Sequence, residues 1–133
     1  MDTTGLILFT NNGKLINHFQ TNVLKTYKVV TRHPINKELL YLFKEGVQLR
    51  DGSFVQALNT ELLDTNVCEI TISTGKYHQI KRMMGYIQNR TEMLERIKIG
   101  SLDLREMNLQ RGELKKLTKG DIKKHFDYKV EDL

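Results

Sequence analysis

Val47-Gln48-Leu49-Arg50-Asp51-Gly52-Ser53-Phe54-Val55-Gln56-Ala57-Leu58-Asn59-Thr60-Glu61-Leu62-Leu63-Asp64-Thr65-Asn66-Val67-Cys68-Glu69-Ile70-Thr71-Ile72-Ser73 is the stretch on which the fold class turns. Its strand-like segments lie around Val47–Leu49, Phe54–Leu63 and Val67–Ser73. Asp51-Gly52 and Asp64-Thr65-Asn66 are turn chemistry between them. Turns this short join antiparallel neighbours, because a parallel pair needs a crossover of a dozen residues or more. Cys68 alternates with its neighbours in an apolar strand and reads as a buried small side chain.

Outward from this block the pattern becomes mixed. Gly5–Thr10 reads as a short buried strand closed by Asn11-Asn12-Gly13, followed by a brief helix over Lys14–Phe19. Tyr27–Thr31 is rich in β-branched and aromatic residues and predicts a strand. Asn36 is placed to cap a helix carrying Leu39, Leu40, Leu42 and Phe43, and Gly46 to stop it. On the other side, Tyr77–Ile87 sets Ile80, Met83, Met84 and Ile87 on one helical face. Ile97–Leu104 reads as a strand, and Thr118 with Asp121 resembles a capping box opening a last helix through Phe126. Strands joined by turns more often than by helices predict an α+β domain with a mixed, largely antiparallel sheet and flanking helices.

The chain has 133 residues, which fits a single domain over 1–133. With 39% hydrophobic and 28% charged residues it is neither a disordered nor a low-complexity chain. No apolar run approaches the roughly 18 residues of a membrane span. No basic-then-apolar leader is visible, and the single cysteine permits no internal disulfide. The expectation is a soluble cytoplasmic protein with no membrane partner.

The net charge of +5 is unevenly placed. Residues 1–75 balance 7 basic against 7 acidic side chains, whereas residues 76–133 hold 14 basic and 9 acidic. A basic face on part of a domain suits a polyanion, and equally an ordinary solvated surface. The segment Thr74-Gly75-Lys76-Tyr77-His78-Gln79-Ile80-Lys81-Arg82 concentrates this charge behind a glycine turn at a helix start, where free N–H groups attract phosphate. With Ile80, Met83 and Met84 facing the core, His78, Lys81, Arg82 and Gly85 share the other side. In Lys25-Thr26-Tyr27 a cation and an aromatic open a strand; the ring serves core packing or a stacked nucleobase. His18, His33, His78 and His125 are dispersed, so no metal site is expected. No GxSxG, GxxxxGK[ST] or GxGxxG pattern occurs, which removes the commonest hydrolase and nucleotide-binding signatures.

Taken in order, Asp2–Gly13, Lys25-Thr26-Tyr27 and Gly75–Met83 resemble the pseudouridine synthases of the RsuA type, which modify ribosomal RNA. Leu94-x-Arg96-x-x-Ile99-Gly100 and Gly112-Glu113-Leu114-x-x-Leu117-Thr118 are similar to that family's final strand and closing helix. The likeness runs from residue 1 to about residue 125. It implies a mixed sheet with a central cleft, and enzymes that detach uracil from ribose, rotate it and rejoin it through carbon, with no cofactor or metal. It implies further that Tyr27 is the active-site tyrosine, stacking on the target uracil near the carbon that loses its proton. Lys81 would pair with the catalytic aspartate, and Lys25, Lys76, His78, Arg82 and Arg96 would contact RNA.

One departure stands out. The family's aspartate is the fourth residue of Gly-Arg-Leu-Asp-x-x-Thr-x-Gly, and Thr3 and Gly5 occupy its Thr and second Gly. Counting back from Gly5 places the aspartate directly before Met1, so Asp2 is not the nucleophile. The preceding strand region and the family's small S4-like domain are also outside this sequence. The resemblance therefore implies a synthase core inactive by itself and open to self-association through an exposed sheet edge. The alternative is a non-catalytic RNA-binding module on the same fold, and a basic interaction domain unrelated to RNA is a third reading.

Overall fold

The computed structural model describes residues 3–5, 18, 23–73, 78–106 and 119–126. In chain order its elements are β1 (Thr3–Gly5), β2 (Lys25–Thr31), α1 (Lys37–Glu45), β3 (Val47–Gln48), β4 (Phe54–Val55), β5 (Asn59–Asp64) and β6 (Val67–Ile72). They continue with α2 (His78–Tyr86), β7 (Thr91–Ile99), β8 (Leu102–Asp103), a 3-10 turn (Leu104–Glu106) and α3 (Lys119–Phe126). The main sheet has the order β1-β7-β2-β6-β5, with β8 folded back on β7, while β3 and β4 form a separate ribbon. Only β1 runs parallel to its neighbour; the other described pairings are antiparallel. This is the mixed, largely antiparallel α+β arrangement that the turns around residues 51 and 65 predict.

Each helix is fixed by local chemistry that the sequence displays. Asn36 caps α1, its Oδ1 accepting from the N–H groups of Glu38 at 2.9 Å and Leu39 at 3.3 Å. Glu38 in the first turn and Lys44 in the last both favour the helix dipole. Gly46 ends the helix with φ 98°, and a Cβ there would collide with the Phe54 ring. Leu40 and Phe43 bury themselves against the sheet cluster of Tyr27, Val29, Cys68, Ile70 and Leu94. On α2, Ile80, Met83 and Met84 are fully buried in that same cluster, as their spacing predicts.

Two expected strands come out differently. Phe54–Leu63 is not one strand: Phe54-Val55 pairs in the small ribbon, and Asn59–Asp64 joins the main sheet. Between them Ala57 N–H donates to the Phe43 carbonyl at 2.8 Å and Leu58 N–H to that of Thr71 at 2.8 Å, so the chain changes sheets there. Ile97–Leu104 is also corrected. The strand begins at Thr91 and stops at Ile99, and a turn through Gly100 leads to β8.

The cause lies in the register of β7 against β2. Lys25 pairs Ile99, Thr26 pairs Lys98, Tyr27 pairs Arg96, Val30 pairs Met93 and Thr31 pairs Thr91. β7 thus carries one extra residue at Ile97 and another at Glu92, each a β-bulge. Its buried positions Thr91, Leu94, Ile97 and Ile99 are consequently spaced three, three and two apart. That spacing does not display the period of two that marks a strand.

The expected strand over Gly5–Thr10 is described only for β1, which ends at Gly5. Of the expected helix over Lys14–Phe19 only His18 is described, in helical conformation. The last helix is present as α3, while Thr118, its expected cap, lies outside the described residues. No helix among the described residues is long and apolar enough to cross a membrane.

Candidate active site

The alternation of β2 carries an anomaly. Lys25, Tyr27, Val29 and Thr31 all point to the buried face, so a lysine occupies a position suited to an aliphatic residue. Lys25 is 4% exposed, and its Nζ has no hydrogen-bond partner among the described residues. Tyr27 is 1% exposed, and its hydroxyl is likewise unsatisfied by a hydrogen bond of good geometry. A buried ammonium without a counter-ion costs several kcal/mol, on the order of what a lost ion-pair partner costs.

The third member comes from β7. Gly5 of β1, Arg96 and Tyr27 lie in one row across the sheet, because Gly5 pairs Arg96 and Arg96 pairs Tyr27. Residues directly opposite share a face, so the half-buried Arg96 lies on the side of Tyr27. Burial, then the Arg96 charge, holds the Lys25 ammonium below its ordinary range. Burial pushes the Tyr27 hydroxyl up, and Arg96 pulls against it by charge and by proximity to the oxygen. No described acid is among the causes of either shift. Lys25 and Arg96 thus set two cationic side chains beside the Tyr27 phenol.

The opposite face is self-compensated. Lys28 stands between Glu69 and Glu95 on the neighbouring strands. Arg105 reaches Asp103 at 2.8 Å and Glu69 at 3.4 Å, and its hydrogen bonds hold Asp103 below the usual carboxylate range. Thr26 and Thr71 share a hydroxyl hydrogen bond of 2.9 Å.

The sequence-derived candidates thus separate. Lys25, Tyr27 and Arg96 come together, with Lys25 and Tyr27 buried and Arg96 half-buried beside them. As placed, the Tyr27 ring shows no open face, so stacking on a base requires the groups covering it to part. Lys81 is half-buried on α2. Arg82, on the same helix, is exposed and paired with Asp51 at 2.6 Å, away from the buried row. His78 is the first residue of α2, and Lys76 lies outside the described residues. Among the described residues no three His, Cys, Asp or Glu side chains gather as a metal site requires.

A family model described as RNA pseudouridylate synthase matches residues 1–86, a span that includes β1, Lys25, Tyr27 and Lys81. The chain belongs to the RNA pseudouridylate synthase family. It is similar to the ribosomal small subunit pseudouridine synthase A of Vibrio vulnificus, 37% identical over 128 residues, which cover 92% of this chain and 54% of that protein. The namesake protein of Yersinia pestis is 34% identical over 126 residues, with 92% and 53% covered. A crystal structure of a pseudouridylate synthase superposes with a TM-score of 0.79 at 37% identity, covering 92% of this chain and 55% of that one. The chain spans about half the length of the curated relatives it matches.

The span matched by the pseudouridylate synthase family model takes in β1, β2 and α2 through Tyr86, and β7 lies beyond it. Sequence reasoning placed Arg96 among RNA contacts and missed its position opposite Tyr27. The signal was the bulge, which is visible only in the pairing. It also read Asp51 as a turn residue alone and so missed the Asp51–Arg82 ion pair. Both residues lie on the helix–hairpin contact, 31 positions apart in sequence.

Proposed function

We propose that residues 1–133 act as one domain, the core of a ribosomal RNA pseudouridine synthase. The observation that carries this reading is the row in which a buried lysine and a buried phenol, Lys25 and Tyr27, meet the half-buried guanidinium of Arg96. When uracil leaves ribose, the electron pair of the broken glycosidic bond goes with the base and spreads over its ring nitrogen and carbonyl oxygens. Fixed cations in a water-poor interior stabilise such a charge far better than water-exposed ones do. The base turns while held there and rejoins the ribose through its ring carbon, whose proton is lost. At neutral pH the raised Tyr27 hydroxyl keeps its proton, so Tyr27 acts as a wall and a donor rather than as a phenolate.

The nucleophile belongs to the register of β1. By the family's motif the aspartate stands directly before Met1, and Lys81 is the cation that keeps it ionised. Asp2 is displaced by two residues, and a misplacement of about 1 Å already costs roughly a hundredfold in rate. Residues 1–133 by themselves are therefore expected to make no pseudouridine. Joined to a preceding family segment that ends in Gly-Arg-Leu-Asp, they should convert unmodified ribosomal RNA. Asp→Asn at the joined position should remove activity by orders of magnitude, and Lys81→Met should impair it.

The test is to map pseudouridine chemically in ribosomal RNA after incubation with each chain. Turnover by residues 1–133 that vanishes on Asp2→Ala would show that the motif register is wrong. A joined chain that is folded, binds ribosomal RNA and makes no pseudouridine leaves the non-catalytic RNA-binding module as the function.

A further inference from the structure

A cavity of about 570 Å³ lies between the β3–β4 hairpin and the C-terminal half of α2. Gln48, Arg50 and Asp51 line it from the hairpin, and Arg82, Tyr86 and Gln88 from the helix side. Its volume is that of an ordinary small-ligand pocket. The buried row of Lys25, Tyr27 and Arg96 contributes nothing to its lining.

Two residues on this cavity are locally unfavourable choices. Gln88 has φ 59°, a left-handed conformation that favours glycine or asparagine after a helix end. Its N–H still donates to Gly85 and that of Asn89 to Met84, so the turn is an orderly helix ending that glycine would fill without strain. Gly85 sits within α2, where alanine is preferred, yet apart from its own helix and chain neighbours no described atom lies within 4 Å of where its Cβ would be. Among the described residues no packing contact calls for glycine at 85 and no hydrogen bond calls for glutamine at 88. A ligand lying on the helix backbone, with its edge met by an amide, calls for both.

The remaining lining defines the ligand. Tyr86 is 47% exposed and lines the cavity, the one aromatic among the described residues that does so. Arg50 is exposed, with no ion pair among the described residues. Arg82 spends one nitrogen on Asp51 at 2.6 Å and keeps its other donors. Asp51 is occupied in turn, accepting from Ser53 N–H at 2.9 Å and Ser53 hydroxyl at 2.6 Å. An aromatic platform, two amides and two guanidiniums are the means by which proteins take an unstacked nucleotide: ring on ring, base edge on amide, phosphate on arginine.

We infer that this cavity seats one unpaired nucleotide of the RNA strand, outside the reaction site. The base stacks on Tyr86 over Gly85, its edge meets Gln88 and Gln48, and its phosphate lies between Arg50 and Arg82. This rests on the reading of the chain as an RNA-modifying domain and adds a second point of attachment on the substrate.

The test uses the 133-residue chain, a structured ribosomal RNA fragment and a single-stranded RNA hexanucleotide. Gly85→Ala and Gln88→Gly should leave the melting temperature unchanged or raise it, yet weaken hexanucleotide binding about tenfold, in the range that loss of one stacked base produces. Tyr86→Leu should do the same with its fold intact. Nuclear magnetic resonance shifts on adding the hexanucleotide should centre on Gly85 and on the side-chain amides of Gln48 and Gln88. If the stabilised variants bind the hexanucleotide as tightly as the parent, the cavity inference is overturned while the RNA reading stands. If free AMP binds as tightly as the hexanucleotide, the site is one for mononucleotides and the inference fails. If the parent binds neither the ribosomal fragment nor the hexanucleotide, both readings fall.

Discussion

Arg96 stands directly opposite Tyr27 only because β7 spends four residues, Arg96 to Ile99, where β2 spends three, Tyr27 to Lys25. Without the bulge Tyr27 would meet Ile97, and Arg96 would pair with Lys28 on the other face. One inserted residue therefore decides whether a guanidinium or an aliphatic chain faces the tyrosine. Bulges beside active sites commonly re-aim a side chain in this way.

Arg96→Met tests the electrostatic side of that relationship. Arg96 lowers the pKa of both Lys25 and Tyr27, so its removal should raise both. Titration of the Lys25 ε-carbon and the Tyr27 ring carbons by nuclear magnetic resonance reads the two shifts separately. A rise in one without the other would mean that the guanidinium does not serve both groups.

Lys25→Met should stabilise the folded chain at neutral pH by on the order of 1 kcal/mol, since it replaces a buried cation that has no hydrogen-bond partner among the described residues with an apolar chain of similar shape. The pH dependence has a definite sign. The folded Lys25 titrates below its ordinary 10.5. Below that folded value both states hold the proton, and the parent bears the full cost of burial. As pH rises from there to 10.5 the folded state sheds its proton first, and the parent gains stability. The advantage of Lys25→Met should therefore shrink over that window. Tyr27, raised in the fold, opposes this above about pH 10 by favouring the unfolded state, but it is common to both chains and drops out of their difference. In the joined chain the same substitution should cost activity, as the cation stabilising the departing base is gone.

Cys68 should be inert in the folded protein. It is fully buried, and burial together with the neighbouring Glu69 pushes its thiol up to about 12. Thiolate is the reactive form, so alkylation should follow unfolding rather than solution pH. Labelling by a water-soluble thiol reagent at rising urea should coincide with loss of circular dichroism; rapid labelling of the native chain would contradict the packing around β6.

Gly100→Ala should destabilise the protein by more than about 1 kcal/mol, because alanine is strained at positive φ. Gly100 has φ 60°, and a Cβ there would strike the His125 carbonyl and press on the Phe126 ring. The adjoining Ser101 donates its N–H to the same carbonyl at 3.0 Å, and its hydroxyl pairs with His125 Nδ1 at 2.7 Å. Chemical denaturation measures the loss, and selective loosening of α3 should appear in its amide exchange.

Much of this architecture is legible before any coordinates. Asn36 and Gly46 mark the ends of α1 because caps are local chemistry, and Ile80, Met83 and Met84 mark the inner face of α2 because helical spacing is regular. Tyr27 and Lys25 emerge as a pair because they are two residues apart on one strand. Arg96 as their partner does not, since its placement depends on a bulge in a strand whose buried positions break the period of two. The hairpin cavity is hidden for a different reason. Its parts, Arg50 and Tyr86, belong to segments that sequence reads separately as a turn and as a helix end, and only packing brings them together.

The place of β7 in the sheet has a kinetic consequence. The strand that joins β1 to β2 is also the last long strand among the described residues to be synthesised, at residues 91–99. As the chain emerges, β2, β5 and β6 can pair among themselves, but the row of Gly5, Arg96 and Tyr27 cannot assemble until residue 99 is free. Contacts of such sequence separation are slow to form. The row is thus completed late in folding, and a nascent chain with β2 exposed along one edge precedes it. Substitutions in β7 should speed unfolding far more than they slow the first pairing of β5 and β6.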